Sequence, residues 1–308
     1  MKLSVVTTLY HSQPHLREFH ARISAAALAV TYDYEIILVN DGSPDDALGV
    51  ALDLQAEDSR VVVVDLSRNF GHHKAMMTGL GYATGEQVFL IDCDLEEEPE
   101  LLTGFHERLR TGDCDVVYGV QNRRRGGLIQ RMTGDLFYYL VERLSDRPLP
   151  RNLVTARLMT RPYVRALLRH RDRDFLIAEL WAATGFRQVA LKIDKGSFSP
   201  STYSLAMRLN LALRYMTTNS TRLLTLVFWL ALGVWGLSVV AIIYLVGRYL
   251  VGGIGVSGWT SLIVTLWFFG GLIVLGQGLI GIYIASILTE AKRRPNTIVR
   301  QVYGRDPS

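Results

Sequence analysis

The sequence predicts an α/β domain built on a mostly parallel sheet with helices on both faces, followed by a membrane-embedded segment near its carboxyl end. Three observations predict it. Short apolar runs rich in Val and Ile alternate with longer helical patterns through the amino-terminal part of the chain. Several of these runs end in Asp, Asn, Gly or Ser, as strands do where they give way to tight turns. Charges are spread throughout as far as Arg222, then almost vanish until Glu290.

The apolar runs are Leu3–Leu9, Glu35–Asn40, Val61–Leu66, Gln87–Asp92 and Asp115–Gly119. Their nearly unbroken apolar character suits strands buried on both faces. Helical patterns lie between them at Pro14–Val30, Asp45–Glu57, His73–Ala83 and Pro99–Arg110. Such alternation gives a mostly parallel sheet, in which ligands bind off the carboxyl ends of the strands. The residues just after each run are therefore the ones to inspect.

Two stretches are long and apolar enough to span a bilayer, Leu223–Gly247 and Trp259–Leu288; neither holds a charged residue. Each exceeds the roughly 20 residues that a hydrocarbon core requires. Arg208, Arg214 and Arg222 precede the pair, and Lys292, Arg293, Arg294 and Arg300 follow it. The positive-inside rule then puts both outer ends in the cytosol and the short loop between the spans outside. Gly270, Gly271, Gly276, Gly278 and Gly281 suit close helix contact, within the hairpin or between protomers of a homo-oligomer. Ser204–Thr221 has the spacing of an amphipathic helix lying in the membrane interface. The expected organisation is a catalytic domain at 1–198, an interfacial region at 199–222, a transmembrane hairpin at 223–290 and a cytosolic tail at 291–308.

Composition excludes several classes. A net charge of +4 across 308 residues is mild, and no nucleic-acid partner is expected. The opening Met1-Lys2-Leu3-Ser4-Val5-Val6 runs straight into a strand pattern, so no signal peptide is expected. Cys93 and Cys114, without paired spacing, read as small buried side chains in a reducing compartment.

Chemistry concentrates after three of the runs. Ile91-Asp92-Cys93-Asp94-Leu95-Glu96 puts two carboxylates one residue apart at a strand end. Mg²⁺ or Mn²⁺ takes hard oxygen ligands, commonly one or two carboxylates plus substrate phosphates. Asp92 and Asp94 are the candidate ligands, with Glu96 a third. Glu97 and Glu98 are expected to face the amino terminus of the following helix and stabilise its dipole. Leu38-Val39-Asn40-Asp41-Gly42-Ser43 is a strand leading into a tight turn, where Asp41 can accept a hydrogen bond from a base and Gly42 permits close backbone approach. Leu66-Ser67-Arg68-Asn69-Phe70-Gly71-His72-His73 opens a helix, and its exposed N–H groups with Arg68 suit an anionic diphosphate.

These three sites, in this order and at these separations, resemble glycosyltransferase family 2, and within it the polyprenyl-phosphate sugar transferases. The resemblance runs nearly end to end, the double span and the tail at Arg294-Pro295 included. It implies a GT-A-like fold, inversion at the anomeric carbon, a nucleotide diphosphate sugar (a UDP-sugar favoured) as donor and a polyprenyl phosphate as acceptor at the inner membrane. It also implies that Asp41 meets the base, that Arg68 and Asn69 belong to the nucleotide loop, and that Asp92 and Asp94 form the metal motif. The family opens with Pro-x-Tyr-Asn-Glu, where this chain has Thr8-Leu9-Tyr10-His11-Ser12, so only Tyr10 carries over; Thr8 and Leu9 join it as candidate nucleotide contacts. Gly119-Val120-Gln121 stands where the family has Gly-x-Arg.

A polyprenyl monophosphate has a second pKa of about 6 and is largely anionic at neutral pH, so its attack needs no strong general base. Cations must then hold the acceptor beside the donor. Arg123, Arg124, Arg125, Lys195 and Ser201 are candidate contacts for the acceptor phosphate, with Arg131 and Arg157 as catalytic cations alongside Asp94. Glu179 is a candidate residual base.

Overall fold

The computed structural model describes residues 1–121, 153–173, 175–193 and 258–305, with scattered positions between 225 and 247. The chain divides into two compact units. One holds residues 1–128, 149–202 and 294–308, and the other holds 129–148 and 203–293.

The first unit is built on an eight-stranded sheet. Four parallel strands form its centre: β1 (Leu3–Leu9), β2 (Tyr34–Asn40), β3 (Val61–Leu66) and β4 (Gln87–Leu90). Every residue of β1, β2 and β3 is buried, which is why their sequences are predominantly apolar and show no alternation between apolar and polar positions. Between them run α1 (Gln13–Val30), α2 (Ala47–Glu57) and α3 (His72–Tyr82), and α4 (Leu101–Leu109) follows β4. Leu16, Phe19, Ile23, Leu54, Leu102 and Phe105 pack on one face of the sheet, whereas Ala75, Met76 and Leu80 pack on the other. The expected strands and helices are present, with ends displaced by a few residues; the β4 ladder stops at Leu90, so Asp92 stands in the loop beyond it.

Beyond β4 the topology changes. β5 (Val116–Gln121) and β6 (Leu153–Thr160) pair antiparallel, and β6 also pairs antiparallel with β4. α5 (Arg161–Leu167) and α6 (Ile177–Ala183) lead to β7 (Gln188–Ile193), parallel to β5 at one edge. At the opposite edge β8 (Val299–Tyr303) pairs antiparallel with β3. Part of the stretch expected to be a cytosolic tail thus forms an edge strand of this sheet. The strand order is β7-β5-β6-β4-β1-β2-β3-β8.

A buried ionic cluster closes the amino-terminal end of the sheet. Glu35, 6% exposed, accepts from Ser4 Oγ at 2.6 Å, Thr84 N at 2.8 Å and Thr84 Oγ1 at 2.8 Å. Lys2 Nζ lies 3.5 Å from its other oxygen, which also pairs with Arg305 of the tail.

In the second unit α7 (Trp259–Ala291) is one continuous helix. Its segment Phe268–Ala291 is long and apolar enough to cross a membrane. Leu262, Leu266, Phe268, Ile273, Val274 and Ile287 are exposed along it, a density of bare apolar surface that marks a membrane or protein contact. Of the expected first span only scattered positions are described, all helical, so the two-helix hairpin and the interfacial helix at Ser204–Thr221 lie largely outside the described residues.

Candidate active site

The three motifs come together at the carboxyl ends of adjacent strands. β1 pairs with β2 on one side and β4 on the other, and β2 pairs with β3. The turns after all four strands therefore share one edge, the place where open α/β sheets bind ligands.

The turn after β2 and the loop after β3 are locked to one another. Asp41, 2% exposed, accepts from Phe70 N at 2.7 Å and Gly71 N at 3.0 Å. Its own N–H donates to Leu9 O at 3.1 Å. Burial pushes the Asp41 carboxyl above its usual range, although the two backbone N–H groups and the charges of His72 and Arg68 oppose the shift. Gly42 has φ +60°, and a Cβ there would lie 2.5 Å from Asn69 N and 2.6 Å from Arg68 C. Only glycine allows that contact. Arg68 and Asn69 remain exposed, and the Arg68 guanidinium stacks 4.1 Å above the Phe70 ring. Asp41, expected to meet a base, thus has both oxygens engaged in shaping the loop.

The strand-end turn of β1 has a different character from the one its sequence suggested. Leu9 is fully buried, so its side chain belongs to the core and its carbonyl to Asp41. Thr8 is nearly buried, and its Oγ1 lies 2.9 Å from His72 Nδ1. Tyr10 is half-exposed and free to face a ligand.

In the acidic loop Cys93 points inward, its Sγ donating to Thr8 O at 3.2 Å, while Asp94 is exposed and Asp92 half-buried. Burial lifts the Cys93 thiol to about 11, an inert state, and both cysteines are free and buried. Asp94 Oδ1 accepts from Glu96 N at 3.0 Å, and Leu95 between them has φ 62°, a strained conformation for leucine. Asp92 Oδ1 lies 3.3 Å from His72 Nε2. Burial disfavours the charged imidazole, but the hydrogen bond and charge of Asp92, with Asp41 and Asp94, outweigh it and raise the His72 pKa. Among the described residues no three His, Cys, Asp or Glu side chains form a preformed metal cage. Two hard carboxylates on one exposed loop fit Mg²⁺ or Mn²⁺, ions that take few protein ligands and complete their shell with phosphate and water.

Glu97 departs from expectation. It does not face its helix: it is 1% exposed and accepts from Thr155 N at 3.0 Å and Ala156 N at 2.7 Å, clamping the acidic loop to β6. Three consecutive glutamates gave no sign of which one turns inward. Next to this clamp is a cavity of about 220 Å³ lined by His72, His73, Met76, Glu97, Thr155 and Trp181 among others.

Arg157 also departs. Expected to be a catalytic cation beside the acceptor, it is 1% exposed, stacked on Trp181 and near Tyr118. Burial lowers its pKa to about 9 against the opposing influence of Tyr163, Glu97 and Tyr118. Its Nη2 is buried and has no hydrogen-bond partner among the described residues. Glu179 is half-buried in the first turn of α6. Arg123, Arg124, Arg125, Arg131, Lys195 and Ser201 lie outside the described residues.

The sequence profile of glycosyl transferase family 2 matches residues 4–171, the segment that carries all three motifs. The chain belongs to glycosyltransferase family 2. A Mycobacterium tuberculosis protein described as a glycosyltransferase is 44% identical over 306 residues, covering 99% of this chain and 90% of its own. The Bacillus subtilis glycosyltransferase YkcC is 31% identical, with 99% and 95% covered. A prophage-derived bactoprenol glucosyl transferase of Shigella flexneri is 29% identical over 317 residues and is matched along the full length of both chains. In this family-2 transferase the eight strands form one mixed sheet whose four central strands are parallel. Its acidic loop, the Asp41 turn and the Arg68 loop line one edge of it.

Proposed function

We propose that the protein transfers a sugar from a nucleotide diphosphate sugar, a UDP-sugar in our reading, to a polyprenyl phosphate at the cytosolic face of the inner membrane. One observation carries this reading: a single chain combines an acidic strand-end site with a helix of membrane length, and its tail then rejoins the catalytic sheet. The chain leaves that sheet after Ile193 and re-enters it at Val299, with Phe268–Ala291 between. If this helix crosses a bilayer, a second crossing must return the chain to the same side. Leu223–Gly247 is uncharged and long enough to be that crossing. A catalytic domain at the membrane and an acceptor that is itself a lipid go together, and the bactoprenol glucosyl transferase likeness points the same way.

In this reading the nucleotide lies across the Asp41 turn and the Arg68 loop. Arg68 and the N–H groups at the start of α3 face the diphosphate, and Tyr10 and Asn69 flank it. The cavity beside His73, Met76 and Trp181 is the place for the sugar. A divalent ion held by Asp92 and Asp94, with Glu96 as a further ligand, would supply charge stabilisation to the departing diphosphate. The acceptor phosphate oxygen attacks the anomeric carbon from the opposite face, and the bond to the diphosphate breaks with inversion. That oxygen is already anionic, so Glu179 is not required as a base. Arg123, Arg124, Arg125, Arg131, Lys195 and Ser201 are the proposed contacts for the acceptor phosphate. Arg157, enclosed by aromatic rings, supports the wall of the site.

Purified protein, undecaprenyl phosphate and a panel of UDP- and GDP-sugars, with lipid products read by mass spectrometry, tests the proposal. A glycosyl-phosphoryl lipid from one UDP-sugar is expected. No lipid product from any donor would reject it.

A further inference from the structure

β8 meets β3 with a break in register. Val63 pairs with Tyr303, Val64 with Val302 and Asp65 with Gln301, but Leu66 pairs with Val299. Arg300 is the extra residue of this bulge. Bulges re-aim a side chain out of the alternation of the ladder and recur beside active sites.

Arg300 is aimed at the origin of both donor turns. Its Nη1 lies 3.3 Å from Asp65 Oδ2, and its Nη2 donates to Ser67 O at 2.8 Å. Asp65 is 1% exposed and accepts on its other oxygen from Asn40 Nδ2 at 2.8 Å. Asn40 Oδ1 in turn accepts from Ser43 N at 3.2 Å, which closes the Asp41–Ser43 turn. Ser67 N donates to Ile298 O at 2.9 Å, so the tail holds the start of the Arg68 loop from both its carbonyl and its N–H. One guanidinium therefore reaches the β2 turn through Asp65 and Asn40, and the β3 loop directly.

We propose that Arg300 is a positioning residue for donor binding: the tail bulge sets the spacing of the two turns that receive the nucleotide. The inference rests on reading those turns as the donor site. Arginine suits the task because its fork reaches a carboxylate and a carbonyl together, which a lysine ammonium on its flexible stem does less well. The guanidinium itself is largely exposed, so the ion pair adds little to overall stability. What it fixes is the relation between two loops that a ligand must bridge.

The test uses full-length protein in detergent and three variants: Arg300→Ala, Arg300→Lys and Arg305→Ala. Arg305 anchors the far end of the same strand through Tyr82 O and Glu35. UDP affinity is measured by calorimetry with Mn²⁺ present, alongside donor KM, kcat and the thermal midpoint. Arg300→Ala is expected to weaken UDP binding and raise donor KM by about fivefold, leaving kcat at saturating donor within about twofold. Arg300→Lys should recover part of the loss. Arg305→Ala should lower the thermal midpoint while UDP affinity stays at the wild-type value. Wild-type UDP affinity in Arg300→Ala would overturn the inference, as would an equal loss in Arg305→Ala, which would make tail docking the cause. Wild-type protein that binds neither UDP nor GDP would instead overturn the donor-site reading beneath it.

Discussion

Removing the Glu35 carboxylate should destabilise the catalytic domain more than any surface change, because this one side chain ties four segments of the chain together. It accepts three hydrogen bonds on one oxygen, from Ser4 Oγ, Thr84 N and Thr84 Oγ1, and pairs with Lys2 and Arg305 on the other. Breaking a buried ion-paired group leaves its partners uncompensated, at about 3–5 kcal/mol. For a domain of this size each kcal/mol moves the thermal midpoint by about 2–4 °C, so Glu35→Ala should lose about 6–20 °C. The pH dependence carries a second signature. Burial alone would raise the Glu35 pKa, but Ser4, Thr84 and Arg305 outweigh it and hold the carboxyl below its usual value of 4.5. Its folded pKa is thus depressed, so its contribution is complete above about pH 4.5 and is lost as pH falls through the folded value. Thermal unfolding of wild type, Glu35→Ala and Glu35→Gln, followed by tryptophan fluorescence at pH 7.5 and again near pH 4, checks both. A wild-type midpoint at pH 7.5 in Glu35→Ala would refute the argument. So would an acid sensitivity in Glu35→Gln as steep as that of wild type.

Further expectations follow from the site. Asp94→Asn should reduce transfer by 10²-fold or more, on the order of 3 kcal/mol of transition-state stabilisation, while leaving the thermal midpoint near wild type; full activity in excess EDTA would exclude the metal role. Gly42→Ala forces a methyl group onto the Arg68–Asn69 backbone in a left-handed conformation. It should cost about 1–3 kcal/mol in thermal unfolding and raise donor KM, and an unchanged KM would separate the two turns from the donor. Both native cysteines are buried and free, so new cysteines can be labelled over a low background. In intact cells an impermeant maleimide should label Ser257→Cys and spare Arg305→Cys; the reverse pattern would invert the topology.

The strands β1 to β4 were legible because they are almost wholly buried and so are dominated by Val, Ile and Leu. Their chemistry was legible because it sits immediately after them. Strand β5 was legible as well, as the run Asp115–Gly119, but β6, β7 and β8 were not. β6 carries Arg157 in its middle, which breaks the apolar run, and β8 is the short, half-exposed edge sequence Val299-Arg300-Gln301-Val302-Tyr303, which reads as a polar tail. Residues whose partners lie far away in sequence were equally hidden. Glu97 turns toward Thr155 and Ala156, Glu35 toward Arg305, and Asp65 toward Arg300, and no local pattern announces any of these. The buried setting of Arg157 depends on Trp181 and Tyr118 folding over it, again a tertiary fact.

In the proposed reaction the acceptor is a phosphate rather than a hydroxyl group. Initial rates with undecaprenyl phosphate and with undecaprenol, measured from pH 5 to 8.5 with one active donor, test it most directly. Turnover is expected with the phosphate alone, rising through about pH 6 as the second proton leaves and flat above. Glu179→Gln should keep this profile. Equal transfer to the alcohol, or complete loss of activity in Glu179→Gln with a rate that climbs throughout the range, would contradict it and make a hydroxyl acceptor with a general base the better account.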